Sequence, residues 1–258
     1  MLFLRSLLFA FCQVVSTLVF APLSVVSGVL PFRARYRFIS QWTYFNLWCA
    51  QKICGLRYHV EGLENIPARS AVILCKHQSA WETYALPRIF TRPLSWVCKR
   101  ELLWIPFFGW GLAMMQPIAI DRGAGRRALD QLVEQGVRRL RDGRSVVIFP
   151  EGTRVAMGEK RRYAIGGALL AEKSGCPVLP IAHNAGLFWP RKSFLKYPGV
   201  IRMVIGPLIE TQGKSAAEIN ALAEDWIETT QRKLTDHRFK ETLNNSIHGI
   251  FRDEKRKI

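Results

Sequence analysis

A histidine and a carboxylate five positions apart, His77 and Glu82 in Lys76-His77-Gln78-Ser79-Ala80-Trp81-Glu82-Thr83, are the residues best suited to chemistry in this chain. An imidazole titrates near neutrality and can take a proton from an attacking hydroxyl. A carboxylate beside it fixes the tautomer and stabilises the imidazolium that forms. The pair follows the apolar run Ala71-Val72-Ile73-Leu74-Cys75, which reads as a buried strand, so it falls where a strand gives way to a helix. In an unbroken helix, positions five apart point roughly 140° away from each other. Ser79-Ala80-Trp81-Glu82 supplies the needed break, because it matches the S-x-x-E capping box. The same match gives Glu82 a purely structural reading, as a cap that does no chemistry. Ser215-Ala216-Ala217-Glu218 repeats the pattern with no histidine nearby. Ser79 as a nucleophile activated by His77 is the weaker reading, since no G-x-S-x-G elbow surrounds it.

Two further segments join the pair. Phe149-Pro150-Glu151-Gly152-Thr153-Arg154 follows a strand end, where open α/β sheets place their ligands. Gly152 lets a ligand approach the backbone closely, and Thr153 and Arg154 can donate to a phosphate, Arg through a two-pronged fork. Ile118-Ala119-Ile120-Asp121-Arg122 likewise ends a short strand in an arginine. Two such ends in a basic chain suit a phosphate clamp, with Lys99 a further candidate; a plain turn and a local Asp121–Arg122 ion pair are the bland alternatives. Gly123-Ala124-Gly125-Arg126-Arg127-Ala128 matches G-x-G-x-x-A, but Asp121-Arg122 intervenes between strand and glycines, so a dinucleotide site is set aside.

The elements that must position these residues are an alternation of strands and helices. Short, mostly continuous apolar runs predict strands at Arg57–Glu61, Ala71–Cys75, Leu94–Val97, Pro117–Ile120, Ser145–Phe149, Val178–Ala182 and Ile201–Ile205. Helical spacing of apolar residues marks Arg126–Arg141 and Ser215–Leu234. Glu101–Pro117, rich in Leu, Trp, Phe, Met and Gly, reads equally as core or as the lining of an acyl-chain site. The fold class is α/β, a mostly parallel central sheet flanked by helices.

Composition narrows the partner. Over 258 residues, 37 Lys and Arg against 20 Asp and Glu leave a net charge of +17, which favours an anionic partner. No charge occurs from Ser6 to Phe32, a run long enough to cross a membrane, and Arg33, Arg35 and Arg37 follow it. Aromatics crowd the next stretch at Trp42, Tyr44, Phe45 and Trp48, which suits a headgroup layer. Residues 1–56 are therefore expected to form a membrane-associated helical pair, either one span with an interfacial helix or a hairpin dipping into one leaflet. Residues 57–235 would form the α/β domain and 236–258 a basic tail. Such a leader speaks for membrane lipid rather than nucleic acid. The six cysteines lack metal-ligand spacing and sit in apolar context, which predicts reduced thiols, no metal site and a domain facing the cytosol.

These blocks resemble, in order and spacing, those of the glycerolipid acyltransferase family and its bacterial 1-acylglycerol-3-phosphate acyltransferases. The family's His-x4-Asp is matched by His77 to Glu82, its Arg-ended apolar strand by Ile118 to Arg122, its Phe-Pro-Glu-Gly-Thr-Arg in full by Phe149 to Arg154, and its Val-Pro-Ile-like strand by Val178-Leu179-Pro180-Ile181-Ala182. Ile105-Pro106-Phe107-Phe108-Gly109-Trp110 after Lys99 is also similar to the family. Glu82 departs from the pattern, standing where the family usually has Asp. The resemblance implies an enzyme of the inner membrane. It would move a fatty acyl group from acyl carrier protein or coenzyme A to the hydroxyl of lysophosphatidic acid, with no other cofactor. It implies His77 as base, Glu82 as its partner, and Lys99, Arg122, Glu151, Gly152, Thr153 and Arg154 at the acceptor. The competing functions are an acyltransferase for another lyso-lipid, such as a lyso-ornithine lipid or lysophospholipid, and a non-catalytic membrane adaptor.

Overall fold

The computed structural model describes residues 1–235, apart from the side chain of Arg122; the expected basic tail, 236–258, lies outside the described residues. In chain order the elements are α1 (Leu2–Val26), α2 (Phe32–Cys54), β1 (Leu56–Glu61), β2 (Val72–Cys75), α3 (Trp81–Ile89), β3 (Leu94–Lys99), α4 (Phe108–Met114), β4 (Ile118–Ile120), α5 (Arg126–Arg141), β5 (Ser145–Ile148), α6 (Gly166–Ser174), β6 (Val178–His183), α7 (Ala185–Phe188), β7 (Gly199–Ile205) and α8 (Ala216–Thr235). Every predicted strand is present, displaced at its ends by no more than two residues, because runs this apolar are stable only when covered on both faces. The sheet order is β1-β7-β6-β2-β5-β3-β4, and all neighbours are parallel except β6 with β7.

Strand alternation divides the core into two layers. Ile73, Cys75, Val147, Leu179 and Ile181 face a layer built with α1, α2 and α3. Val72, Leu74, Val146, Ile148 and Ala182 face the layer of α5, α6 and α8. The N-terminal helices thus share a core with the sheet: Phe9, Ile39, Cys49 and Cys54 are buried in the same layer as Ile73 and Leu179.

The first helix is turned inside out relative to a helix in water. Its buried positions include Ser6, Ser16 and Ser24, while Leu4, Leu8, Phe11, Val15, Leu18 and Val19 are exposed. The inward serines have partners. Ser6 Oγ accepts from the Lys196 amide at 3.0 Å, and Ser16 Oγ accepts from Trp42 Nε1 at 3.1 Å. Gln13 Nε2 donates to the Tyr84 hydroxyl at 2.9 Å. Small and hydroxylated residues at helix contacts with an apolar outer face are the arrangement expected where the surroundings are lipid. Leu2–Val29 is the one stretch among the described residues long and apolar enough to cross a membrane.

Candidate active site

β2, β3, β4, β5 and β6 run the same way, so the segments that follow them gather at one edge of the sheet. His77 and Glu82 lie beyond β2, and the Phe149–Arg154 loop lies beyond β5. Lys99 ends β3. Beyond β4, Arg122 opens a single 3-10 turn whose backbone places it at the same edge; its side chain lies outside the described residues. Asp121 makes a local contact of its own. Its carboxylate accepts from the Gly123 amide at 2.9 Å, closing the turn that had matched a dinucleotide fingerprint.

The chain breaks at Ser79, and Glu82 folds back. Its Oε1 accepts from His77 Nδ1 at 2.8 Å and from the amides of Gln78 at 3.1 Å and Ser79 at 2.9 Å. Ser79 Oγ in turn accepts from the Trp81 amide. The cap and the catalytic partner are therefore the same carboxylate. Burial by itself would raise the Glu82 pKa, but His183, His77 and the Ser79 amide outweigh it and hold the group below the ordinary carboxylate value. With Nδ1–H committed to Glu82, the ring is fixed in the tautomer that leaves Nε2 as an acceptor. Phe149 stacks on the imidazole at 3.8 Å between centroids and 13° between planes, which fixes its tilt.

Four residues that the sequence reading missed, His183, Lys76, Glu228 and Tyr163, support this pair. His183, at the end of β6, is fully buried and donates Nε2–H to the carbonyl of Lys76 at 2.8 Å. It stands 3.8 Å from Glu82 Oε2, and burial depresses its pKa. Lys76, also fully buried, places Nζ 3.1 Å from Glu151 and 2.6 Å from Glu228 on α8. Tyr163 donates to the same Glu228 oxygen at 2.9 Å. Lys76 thus ties the histidine loop, the Phe149–Arg154 loop and α8 to one another. Its available signal was its place beside His77; that of His183 was its place at a strand end.

Glu151 departs from the expectation that it meets the acceptor. Its side chain is buried in the ion pair with Lys76, turned away from the ligand space, and burial pushes its pKa up to about 7 despite that lysine. Its neighbours behave otherwise. Gly152 adopts φ +69° with open space around it, a conformation that favours glycine. Gly152, Thr153, Arg154, Lys99 and His77 all line one cavity of about 540 Å³. Its remaining wall is largely apolar, from Phe20, Ala21, Ile39 and Trp42 of the first two helices and Leu102, Phe107, Phe108, Leu112 and Met115 of the segment read as core or acyl lining. That segment serves the core and the cavity wall: Met115 is buried in the core, Leu102, Phe107, Phe108 and Leu112 line the cavity, and Trp104 and Trp110 are exposed. Among the described residues, neither Lys99 nor Arg154 has a carboxylate within ion-pair distance.

A sheet edge that presents a carboxylate-bound histidine to a largely apolar cavity with cations in its wall suits a protein that activates a hydroxyl on an amphiphilic anion. Comparison with known proteins agrees. Residues 57–184 match the family model described as acyltransferase. A 1-acyl-sn-glycerol-3-phosphate acyltransferase of Pseudomonas aeruginosa is 48% identical over 90% of this chain and 92% of its own. One from Borreliella burgdorferi is 32% identical over 64% of this chain and 65% of its own. The crystal structure of the 1-acyl-sn-glycerophosphate acyltransferase PlsC from Thermotoga maritima superposes with a TM-score of 0.75 over 91% of this chain and 96% of that one, at 22% identity, which establishes the shared fold. The chain belongs to the acyltransferase family, the one that holds the 1-acyl-sn-glycerol-3-phosphate acyltransferases.

Proposed function

We propose that this enzyme acylates the free hydroxyl of 1-acyl-glycerol-3-phosphate, giving phosphatidic acid, with a thioester of acyl carrier protein or coenzyme A as donor. The observation that carries the reading is the meeting of His77 with the cations Lys99 and Arg154 in one largely apolar cavity. An acceptor that bears a phosphate, a hydroxyl and a fatty chain has one feature for each part of that lining.

The chemistry follows from the tautomer. His77 Nε2 takes the proton of the acceptor hydroxyl as its oxygen attacks the thioester carbonyl. The imidazolium is stabilised through Nδ1–H by Glu82. When the tetrahedral intermediate collapses, the C–S bond breaks and the imidazolium returns the proton to the departing sulfur. The products are an ester and a free thiol, with no acyl-enzyme. Arg154 and Lys99 hold the acceptor phosphate, and Arg122 joins them from the end of β4. Glu151 acts through Lys76 on the shape of the loop.

The outward apolar face of α1 and the exposed Trp48, Trp104 and Trp110 support attachment to a membrane. Both ends of α1 lie against the catalytic unit, Ser6 at Lys196 and Ser24 near Gly111, which favours a helix pair lying in one leaflet over a perpendicular span. No disulfide joins any of the six cysteines among the described residues, in keeping with a domain on the cytosolic side of the inner membrane.

Purified protein given a labelled acyl thioester and a panel of lyso-lipids should acylate lysophosphatidic acid in preference to phosphate-free acceptors. Arg154→Ala should raise the KM for that acceptor by about tenfold or more with less effect on kcat, as loss of a charge-assisted contact predicts. Equal use of a lyso-ornithine lipid, or an unmoved KM, would count against the reading.

A further inference from the structure

We infer that Arg191 and Lys192 form a second anion site, which takes the phosphate of the donor's pantetheine arm. The inference rests on the acyl-transfer reading above and assigns a site for its second substrate. Both residues line the cavity that holds His77, and among the described residues neither has a carboxylate within ion-pair distance. Their position in the fold separates them from the acceptor cations. In the sheet, β2 delivers His77 from between β6 and β5. Arg154 and Lys99 come from the β5 and β3 side, whereas Arg191 and Lys192 follow β6 and α7 on the opposite side. The base therefore has cations on both flanks.

The loop that carries them is built rather than loose. The Ser193 amide donates to the Pro190 carbonyl at 3.3 Å, closing a turn with Arg191 and Lys192 at its centre. Tyr197 N–H reaches Phe188 O at 2.7 Å, and the Lys196 amide is held by Ser6 Oγ at 3.0 Å. Lys192 adopts φ +59°, at the second central position of the turn, where glycine or asparagine is usual. A lysine kept in a strained conformation on a cavity wall points to a role for its side chain.

The chemistry of the reaction supplies the ligand. Carrier-protein and coenzyme A thioesters share a phosphopantetheine arm, whose phosphate stands at the far end from the thioester. A site for it belongs at the cavity rim, and Lys192 is exposed there while His77 is mostly covered.

The test uses the full chain in detergent with two minimal donors, palmitoyl-4′-phosphopantetheine and palmitoyl-pantetheine, which differ only in the phosphate. The wild-type protein should prefer the phosphorylated donor in kcat/KM, by on the order of 10- to 100-fold for a pair of charge-assisted contacts. Arg191→Gln/Lys192→Gln should bring that ratio close to one. A ratio near one in the wild-type protein, or a preference that survives the double substitution, overturns the proposal. So does a variant whose main defect is a raised KM for lysophosphatidic acid, which would assign these cations to the acceptor. The donor ratio can be read with any acceptor the enzyme uses, so a failure of lysophosphatidic acid alone strikes the acceptor reading and leaves the donor result to stand or fall separately. No transfer to any lyso-lipid overturns both.

Discussion

Two carboxylates, Glu82 and Glu151, are buried within the same sheet edge yet are driven in opposite directions. Glu82 is surrounded by donors, two amides and an imidazole, and stays ionised below the usual carboxylate range. Glu151 depends on a lysine that also serves Glu228, and burial prevails, lifting it to about 7. His77→Ala should lower kcat by about 10²- to 10⁴-fold, the usual contribution of a positioned base, while the chain keeps its fold. Glu82→Gln keeps the shape but removes the charge that stabilises the imidazolium. It should reduce kcat by on the order of 10²-fold or more with little change in acceptor KM. Steady-state kinetics on both variants checks this, and a Glu82→Gln enzyme that loses only thermal stability would make the group a cap and nothing more. Glu151 has a different signature. Its folded pKa lies above the unfolded value, so the folded state alone holds that proton between pH 4.5 and about 7, and stability falls as pH rises through that window. The fall is roughly 3 kcal/mol by linkage. Denaturant unfolding at the two ends of the window should show that Glu151→Gln flattens this slope; an unaltered slope would place the titration elsewhere.

Among the elements, α8 has an unexpected part. Its amphipathic spacing predicts a helix covering the sheet, and Ile219, Ala223 and Ile227 do that. Glu228 on the same helix reaches Lys76, so the last described helix clamps the loop that carries the base. A buried ion pair of this kind adds little net stability, since desolvation offsets the attraction, but removing one partner leaves an uncompensated charge. Its use here is geometric: it fixes two loops against each other at the one edge where their relative position matters.

The molecule as a whole is organised around its outer surface. α1 and α2 cover one face of the sheet and also wall the cavity, through Phe20, Ala21, Ile39 and Trp42. An acyl chain in that cavity would therefore touch the same helices whose first member turns an apolar face outward. Replacing Leu8, Phe11 and Val15 together by Lys alters positions that are 50%, 62% and 42% exposed, so the fold should survive. Each lysine costs on the order of 2 kcal/mol or more in a membrane interior. The triple variant should shift from the vesicle-bound to the free fraction in a flotation assay with an unchanged far-UV circular dichroism spectrum; undiminished binding would move the membrane contact off α1.

The linear chain carried the strands, the capped break before α3 and the set of motif residues, because each is written in local terms: a period, a turn signal, a run of residue types. Arg126–Arg141 is a helix with the boundaries its periodicity sets. Distance along the chain hid the rest. Glu228 lies 152 residues from Lys76, and His183 lies 107 from it, so no local pattern joins them. The direction of the Glu151 side chain, the burial of His183 beside Glu82 and the arrival of Arg191 and Lys192 at the far flank of His77 follow from strand order and burial. Both are properties of how the sheet is assembled, and a one-dimensional pattern does not encode which strand lies beside which.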